Sequence, residues 1–112
     1  KGKFDGTSLR VPIITGSIVD ITALLEKNVT KEEVNRAFED AVKDPKYSDV
    51  VKATYEPLVS SDIIGDPHSA IVDLSMTTVI DGNMLKIFAW YDNEWGFSNR
   101  LVEFSERIGQ AL

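Results

Sequence analysis

The clearest pattern along the chain is a helix signal in its first half. After Thr30, apolar residues recur at helical spacing, at Val34, Ala37, Phe38, Ala41 and Val42. Glu33 follows Thr30 by three residues, the spacing of a capping box, in which each side chain accepts a hydrogen bond from the other residue's backbone N–H. The pattern predicts a helix that begins near Lys31 and ends at the Asp44-Pro45 step, because proline disfavours helical geometry in the residue before it.

A second helix is predicted at the carboxyl end of the chain. Gly96 and Ser98 interrupt the preceding strand and offer a cap, and an apolar stripe then repeats at steps of four, three, four and four, at Phe97, Leu101, Phe104, Ile108 and Leu112. The stripe runs to the last residue, Leu112.

The remaining apolar segments have the patterns of β-strands. Alternating or β-branched residues predict strands at 9–25, 59–64, 70–80 and 84–92, whereas 47–55 is ambiguous between a helical turn and a short strand. The first strand is expected to be buried on one face and partly on the other, and Pro12 indicates an edge position, a bulge or an approach segment before the regular pairing. Asp81-Gly82-Asn83 predicts the tight turn of a hairpin. Together with two helices, these strands predict an α+β domain with a mainly antiparallel mixed sheet, flanking helices and a C-terminal helix.

The length and net charge of the chain argue against some classes of binding partner. The chain has 112 residues, of which 43% are apolar, enough for one core and one domain. A net charge of -6 argues against binding to nucleic acid or to an anionic membrane. No apolar run approaches the roughly 20 residues that span a bilayer, and no segment resembles a signal peptide. We therefore expect a soluble protein.

Few chemical groups are available for catalysis. The chain has no cysteine and one histidine, which excludes a thiolate nucleophile, cysteine-ligated zinc and a multi-histidine metal site. Asp62, Asp66 and His68 form the one cluster of histidine with carboxylates, and it is interpreted as a turn rather than as a hydrolytic triad or a metal site. No glycine-rich phosphate loop is present. Since the sequence starts at Lys1 instead of methionine, we expect it to be part of a longer protein.

Two places are candidates for binding. Arg10 lies next to an apolar strand signal, where its guanidinium is suited to hold a phosphate, although an ordinary arginine at a strand edge explains it equally well. Residues 90–97 contain four aromatic side chains with Asp92, Asn93 and Glu94 between them. Buried polar groups need partners. A neutral amide in an aromatic pocket can both donate and accept, which suits recognition of another carboxamide.

At this point the sequence resembles a known family. Residues 90–100, Trp-Tyr-Asp-Asn-Glu-Trp-Gly-Phe-Ser-Asn-Arg, closely resemble the C-terminal signature of phosphorylating glyceraldehyde-3-phosphate dehydrogenases, and the segments 5–6, 9–12, 17–22 and 59–62 follow in that family's order and spacing. The resemblance implies that residues 1–112 are the C-terminal portion of the catalytic, substrate-binding domain. It also implies that the NAD-binding Rossmann domain and the catalytic cysteine and histidine lie outside this chain.

The resemblance further implies roles for individual residues. Arg10 is similar to the arginine that binds the phosphate of the substrate or inorganic phosphate, and Asn93 to the asparagine that bonds to the nicotinamide carboxamide of NAD. Tyr91 is similar to a supporting aromatic residue near the active site. Phe97 stands where the family often has tyrosine, so only packing against the nicotinamide pocket is implied. No catalytic residue and no metal ligand is implied within this chain.

By the same resemblance, the intact protein oxidises glyceraldehyde 3-phosphate with NAD and inorganic phosphate to 1,3-bisphosphoglycerate in glycolysis, with NADP not excluded. It is expected to be a cytoplasmic homotetramer whose terminal helix docks on the Rossmann domain. In the chain alone, the apolar stripe of that helix is therefore expected to be exposed, where it favours aggregation or dimerisation. The 112-residue chain alone is expected to be inactive. Two alternatives remain open: an erythrose-4-phosphate dehydrogenase with the same scaffold, and a non-catalytic interaction domain whose aromatic cluster and terminal helix form the binding face.

Overall fold

The computed structural model describes residues 2–112, which form one mixed five-stranded sheet and two α-helices. The strands are β1 (Ser17–Leu24), β2 (Val51–Thr54), β3 (Ala70–Asp73), β4 (Thr78–Ile80) and β5 (Met84–Tyr91), and the helices are α1 (Lys31–Ala41) and α2 (Trp95–Ala111). A short 3-10 helix spans Ser60–Ile63. The predicted α+β class is confirmed, including the C-terminal helix.

β5 is the central strand of the sheet, and the strand order is β1-β5-β3-β2. β1 pairs antiparallel with β5 along its whole length, from Ser17 opposite Tyr91 to Leu24 opposite Met84. On its other edge β5 pairs antiparallel with β4 near its start and with β3 near its end, while β2 runs parallel to β3. The sheet is therefore mixed and mainly antiparallel, and the end of β5 lies between β1 and β3.

Helix α1 begins with the predicted capping box. The Thr30 N–H donates to Glu33 Oε2 over 2.8 Å, and the Glu33 N–H donates to Thr30 Oγ1 over 3.2 Å. The buried face differs slightly from the prediction, because Asn35 is buried whereas Ala37 is exposed. The amide nitrogen of Asn35 donates to the backbone oxygen of Leu74 over 3.0 Å, whereas its buried Oδ1 has no hydrogen-bond partner among residues 2–112.

The core lies between α1 and the centre of the sheet. Val72, Leu74 and Ala89 form its buried cluster, against which four partly buried residues pack, namely Phe38, Val51, Ala53 and Ala70. Elsewhere the chain is more open, with a radius of gyration of 15.7 Å, whereas a compact domain of this length has a value of about 13 Å. Residues 2–16 form no helix or strand and are mostly exposed.

β1 departs from its prediction in both length and burial. It begins at Ser17 rather than near Leu9, after Gly16 adopts a φ of +93° that side-chain-bearing residues rarely take. β1 contributes no residue to the buried core cluster, and its apolar side chains on both faces stay partly in solvent: Ile18, Val19 and Ile21 are 40%, 37% and 41% exposed. The expectation of a buried face is therefore wrong for this chain.

Two further strand predictions are wrong, because aspartate side chains close turns within both segments. The expected strand at 59–64 is a 3-10 helix because Asp62 Oδ2 accepts the Val59 N–H over 2.8 Å and closes a turn. The expected long strand at 70–80 is divided into β3 and β4, since the Asp73 carboxylate accepts the N–H groups of Ser75 and Met76 over 3.1 and 3.3 Å. The ambiguous segment 47–55 contains a turn followed by β2.

The predicted hairpin is confirmed. β4 and β5 pair antiparallel, with Ile80 opposite Met84. The intervening turn needs left-handed backbone, which Asp81 and Gly82 supply with φ of 52° and 77°. Aspartate and glycine are among the residues that tolerate this region, which is why the turn was readable in the sequence.

Helix α2 is attached to the rest of the chain through Arg100 and Gly96 rather than through its apolar stripe. Arg100 donates to the backbone oxygen of Asp49 over 3.2 Å and to Ser69 Oγ over 3.3 Å, and Gly96 is buried. The apolar stripe points away, and its members are 47% to 67% exposed at Phe97, Leu101, Phe104 and Ile108. The expected exposure of this stripe is confirmed. Among residues 2–112, neither helix has the length and apolar character needed to cross a bilayer.

Candidate functional site

The turn between β5 and α2 is organised by one buried carboxylate. Asp92, 5% exposed, accepts the N–H groups of Glu94 and Trp95 on Oδ1 over 3.0 and 2.8 Å, and the Gly65 N–H on Oδ2 over 2.9 Å. The bonds from Gly65 and Trp95 hold the pKa of Asp92 below its usual value despite burial. α2 is therefore capped by Asp92, and the predicted cap at Gly96 and Ser98 is wrong.

The first turn of α2 sits directly on the loop that contains Gly65. A Cβ added at Gly96 would lie 2.9 Å from the backbone oxygen of His68, closer than any side chain tolerates. Gly65 itself has a φ of +79°, in the left-handed region that favours glycine. The two glycines and Asp92 thus fix the position of α2 relative to the loop.

The same loop contains the histidine cluster seen in the sequence. The His68 N–H donates to Asp66 Oδ1 over 2.9 Å, the His68 ring nitrogen Nδ1 lies 2.6 Å from the same oxygen, and Lys52 Nζ lies 3.5 Å from Oδ2. Burial by itself raises the pKa of Asp66, but the bonds from His68 and the charge of Lys52 lower it overall. The cluster braces the loop against β2.

Asp62 does not join this cluster, since it caps the 3-10 helix at Val59. The three residues of the imagined triad are therefore not linked by hydrogen bonds into one site. Within residues 2–112 no group of three or more histidine, aspartate or glutamate side chains is arranged to hold a metal ion. The geometry assigns structural tasks to Asp62, Asp66 and His68.

Asn93 follows Asp92 at the end of the sheet. It is exposed, and its Oδ1 accepts a hydrogen bond from Ser17 Oγ over 3.3 Å. Its amide nitrogen has no hydrogen-bond partner among residues 2–112. The expected enclosure of Asn93 by aromatic rings is not found, because Trp95 and Phe97 beside it are themselves 52% and 67% exposed. In this chain the amide is presented at a surface rather than in a pocket.

The aromatic residues around Asn93 divide into two groups. Trp90 and Tyr91 belong to β5 and are partly buried, and Trp90 Nε1 donates to Asp73 Oδ2 over 3.3 Å. Trp95 and Phe97 belong to α2 and are exposed. The first pair has a packing role within the sheet, and the second pair leaves apolar rings exposed on the first turn of α2.

Arg10 lies apart from this turn. It is exposed within the extended segment 2–16 and makes no hydrogen bond or ion pair with any residue of 2–112, including Asn93. All the donors of its guanidinium are therefore available to an anion. The structure does not bring the two candidate binding residues together within this chain.

Two residues that matter for the turn were missed in the sequence. Asp92 is predicted only as a polar residue between aromatic rings, although its bonds to the N–H groups two and three residues later form a local cap. Ser17 belongs to a segment that resembles the family, but only the register of β1 against β5 places it beside Asn93. The contacts of Gly65 with Asp92 and of Ser17 with Asn93 are long-range, and local pattern does not encode them.

Known proteins match the chain along its whole length. The family model described as the C-terminal domain of glyceraldehyde 3-phosphate dehydrogenase matches residues 1–93. Over 112 residues the chain is 48% identical to glyceraldehyde-3-phosphate dehydrogenase 2 of Streptomyces avermitilis, and 50% identical to the glyceraldehyde-3-phosphate dehydrogenase of Mycobacterium avium. These alignments cover 100% of the chain but 33% and 32% of the relatives, so the chain spans about a third of their length. The chain belongs to the glyceraldehyde-3-phosphate dehydrogenase family, within its C-terminal domain.

Proposed function

We propose that the chain is the C-terminal part of the catalytic domain of an NAD-dependent, phosphorylating glyceraldehyde-3-phosphate dehydrogenase. The complete protein would oxidise glyceraldehyde 3-phosphate to 1,3-bisphosphoglycerate. Family membership supports the reaction class. The observation that carries the proposal is the match of all 112 residues to a glyceraldehyde-3-phosphate dehydrogenase at 48% identity. The aromatic pocket expected around Asn93 is not formed within residues 2–112, so the role of Asn93 rests on the resemblance and on the test below.

Asn93 would bind the nicotinamide carboxamide. A carboxamide has one acceptor oxygen and one donor nitrogen, and the free donors of Asn93 together with its second oxygen lone pair are complementary to it. The exposed rings of Trp95 and Phe97 offer apolar surface next to this amide. When bound, NAD supplies the hydride acceptor for the oxidation. Because NAD and NADP carry the same carboxamide, Asn93 favours neither of them.

Arg10 would bind a phosphate, either that of the aldehyde or the inorganic phosphate consumed in the reaction. A guanidinium offers a planar set of donors with a permanent charge, which suits a phosphate dianion. Its exposure and lack of partners within residues 2–112 leave this set complete. Tyr91, partly buried in β5, would support the turn, and Phe97 would contribute packing only.

The parts of the enzyme that this chain lacks would be its partners. The catalytic cysteine must come from elsewhere, since the chain contains no cysteine. A Rossmann domain would carry most of the dinucleotide and would cover the exposed apolar stripe of α2. We further propose that the assembled enzyme is a cytoplasmic homotetramer that acts in glycolysis.

Kinetics of the full-length protein test both site residues. Arg10→Leu should raise the KM for glyceraldehyde 3-phosphate or for inorganic phosphate by about 10- to 100-fold, because a charged hydrogen-bonded pair is lost. Asn93→Ala should raise the KM for NAD by about 10-fold, equivalent to two neutral hydrogen bonds. Each variant is the control for the other, since the KM of the other ligand should not change. Wild-type constants from both variants would refute the site assignment.

The isolated chain should not reduce NAD, because it has no thiol to attack the aldehyde. Steady-state NADH formation by the 112 residues alone would contradict the proposal. Comparing the turnover of glyceraldehyde 3-phosphate with that of erythrose 4-phosphate by the full-length protein distinguishes the proposed enzyme from an erythrose-4-phosphate dehydrogenase. The exposed stripe of α2 is the observation that favours an interaction domain, and failure of the full-length protein to bind NAD would favour it.

A further inference from the structure

Ser17 lies where the first strand meets the turn that carries Asn93. It is the first residue of β1 and pairs with Tyr91, the last residue of β5, and Asn93 follows two positions later. The Ser17 hydroxyl donates to Asn93 Oδ1 over 3.3 Å across 76 residues of sequence. Within residues 2–112, the Asn93 side chain makes this one hydrogen bond. Ser17 is therefore the residue that restricts the orientation of the Asn93 side chain.

The backbone of Ser17 is fixed on both sides. Sheet pairing holds it from β5, and Gly16 before it is buried against the 3-10 helix. A Cβ at Gly16 would lie 3.1 Å from Cδ1 of Ile63, a fully buried residue, and 3.3 Å from the backbone oxygen of Ser60. The hydroxyl therefore acts from a fixed position at the edge of the sheet.

The backbone of Asn93 is fixed as well, by the bonds of Asp92 to the N–H groups of Glu94 and Trp95. Its remaining freedom is in the side-chain torsions, and the terminal amide torsion is broad in asparagine. The Ser17 bond restricts these torsions by engaging the amide oxygen. It leaves the amide nitrogen without a partner among residues 2–112, and this N–H donor is the group that a carboxamide oxygen needs.

We infer that Ser17 is a positioning residue for the nicotinamide cofactor, which acts by holding the Asn93 side chain in its binding orientation. This inference rests on the proposed function of Asn93. A side chain that is already oriented loses less conformational freedom when the ligand binds. Loss of the Ser17 hydroxyl should therefore weaken cofactor binding and leave the chemical step unchanged.

The test compares Ser17→Val with Ser17→Thr in the full-length protein. The two side chains have nearly the same shape and the same preference for strands, and only threonine keeps a hydroxyl. We expect Ser17→Val to raise the KM for NAD by about 3-fold, with kcat and the KM for glyceraldehyde 3-phosphate unchanged. Ser17→Thr should retain the wild-type KM for NAD. Equal values for the two variants would overturn the inference.

A double-mutant cycle shows whether Ser17 acts through Asn93. In an Asn93→Ala background, Ser17→Val should cause no further rise in the KM for NAD, because the residue it orients is gone. The same 3-fold rise in both backgrounds would overturn the inference and indicate a general effect on the sheet. If Ser17→Val does not yield folded protein, Ser17→Ala replaces it, with the melting temperature compared with that of wild type.

Failure of the proposed function gives a different result. A full-length wild-type protein that does not reduce NAD, or an Asn93→Ala variant with an unchanged KM for NAD, would remove the role of Asn93 and overturn the inference about Ser17 with it. If Asn93→Ala raises that KM and Ser17→Val does not, the proposed function stands and only the inference about Ser17 is wrong.

Discussion

The two helices carry apolar stripes of similar spacing, yet only one stripe is covered. In α1, Val34 is buried and Phe38 packs against the core cluster of the sheet. In α2, Phe97 and Phe104 are 67% and 63% exposed, and the helix is attached through Gly96 and Arg100 instead. Helical periodicity therefore identifies the apolar face of a helix, but it does not show whether the surface that covers this face belongs to the same chain.

The largest expected effect comes from removing one phenyl ring from each helix. Phe38→Ala should lower the free energy of unfolding of the chain by about 3 kcal/mol, since it leaves a cavity beside the core. Phe104→Ala should change it by less than about 0.5 kcal/mol, because the ring is mostly in solvent. Urea denaturation of the two variants, with equal slopes, measures the difference.

In the full-length protein the contrast between the helices should diminish. If a Rossmann domain covers the stripe of α2, Phe104→Ala should then lower stability by at least about 1 kcal/mol, as expected for a buried large side chain. An equally small effect in both contexts would contradict the proposed docking of α2. An equally large effect of Phe104→Ala in the isolated chain would contradict the exposed stripe itself.

A matched pair of glycines sharpens the comparison within α2. Gly96→Ala should destabilise the chain by about 2 kcal/mol, because the new Cβ would lie 2.9 Å from the backbone oxygen of His68. Gly109→Ala meets no atom within 4 Å and should stabilise the chain by about 0.5 to 1 kcal/mol through helix propensity. Thermal denaturation followed by circular dichroism measures both. Equal signs for the two substitutions would show that α2 is not seated on the loop at Gly96.

The elements that sequence predicts well are those whose signals are local. The capping box of α1 and the left-handed turn at Asp81 and Gly82 each depend on residues within three positions of one another, and both are present as expected. The apolar repeat of α2 is local too, whereas its exposure was predicted from the family resemblance rather than from the pattern. Local apolar patterns also gave two wrong strand predictions, because Asp62 and Asp73 close turns inside segments whose apolar pattern favours continuous strands.

The candidate site was predictable in part, for a related reason. Asn93 and Arg10 were chosen from residue type and from a family resemblance, and the chain places both at its surface. Ser17 was not identified because its contact with Asn93 depends on the sheet register. The cap that Asp92 forms with Glu94 and Trp95 is local but was not predicted. The enclosure expected around Asn93 was wrong because the aromatic rings of α2 turn outward in this chain.

The smallest expected effect distinguishes how the two helices begin. Thr30→Ala should lower the free energy of unfolding by about 1 kcal/mol through loss of the local cap of α1, and the Thr30 hydroxyl does not titrate. Asp92→Asn should lower it by at least about 1 kcal/mol, because the single amide oxygen can keep the N–H groups of Glu94 and Trp95, whereas the NH2 group in place of Oδ2 faces the Gly65 N–H.

The losses of stability caused by Thr30→Ala and by Asp92→Asn should differ in their dependence on pH. Because the folded-state pKa of Asp92 is lowered, its ionised form contributes stability above the pKa of the unfolded chain, near 3.8, and this contribution is lost as the pH falls through the folded-state value. The stability difference between wild type and Asp92→Asn should therefore be constant near neutral pH and shrink below about pH 4. The cost of Thr30→Ala should not follow this titration. Urea denaturation from pH 7 to pH 3 tests it, and a pH-independent cost of Asp92→Asn would mean that α2 is held by shape alone.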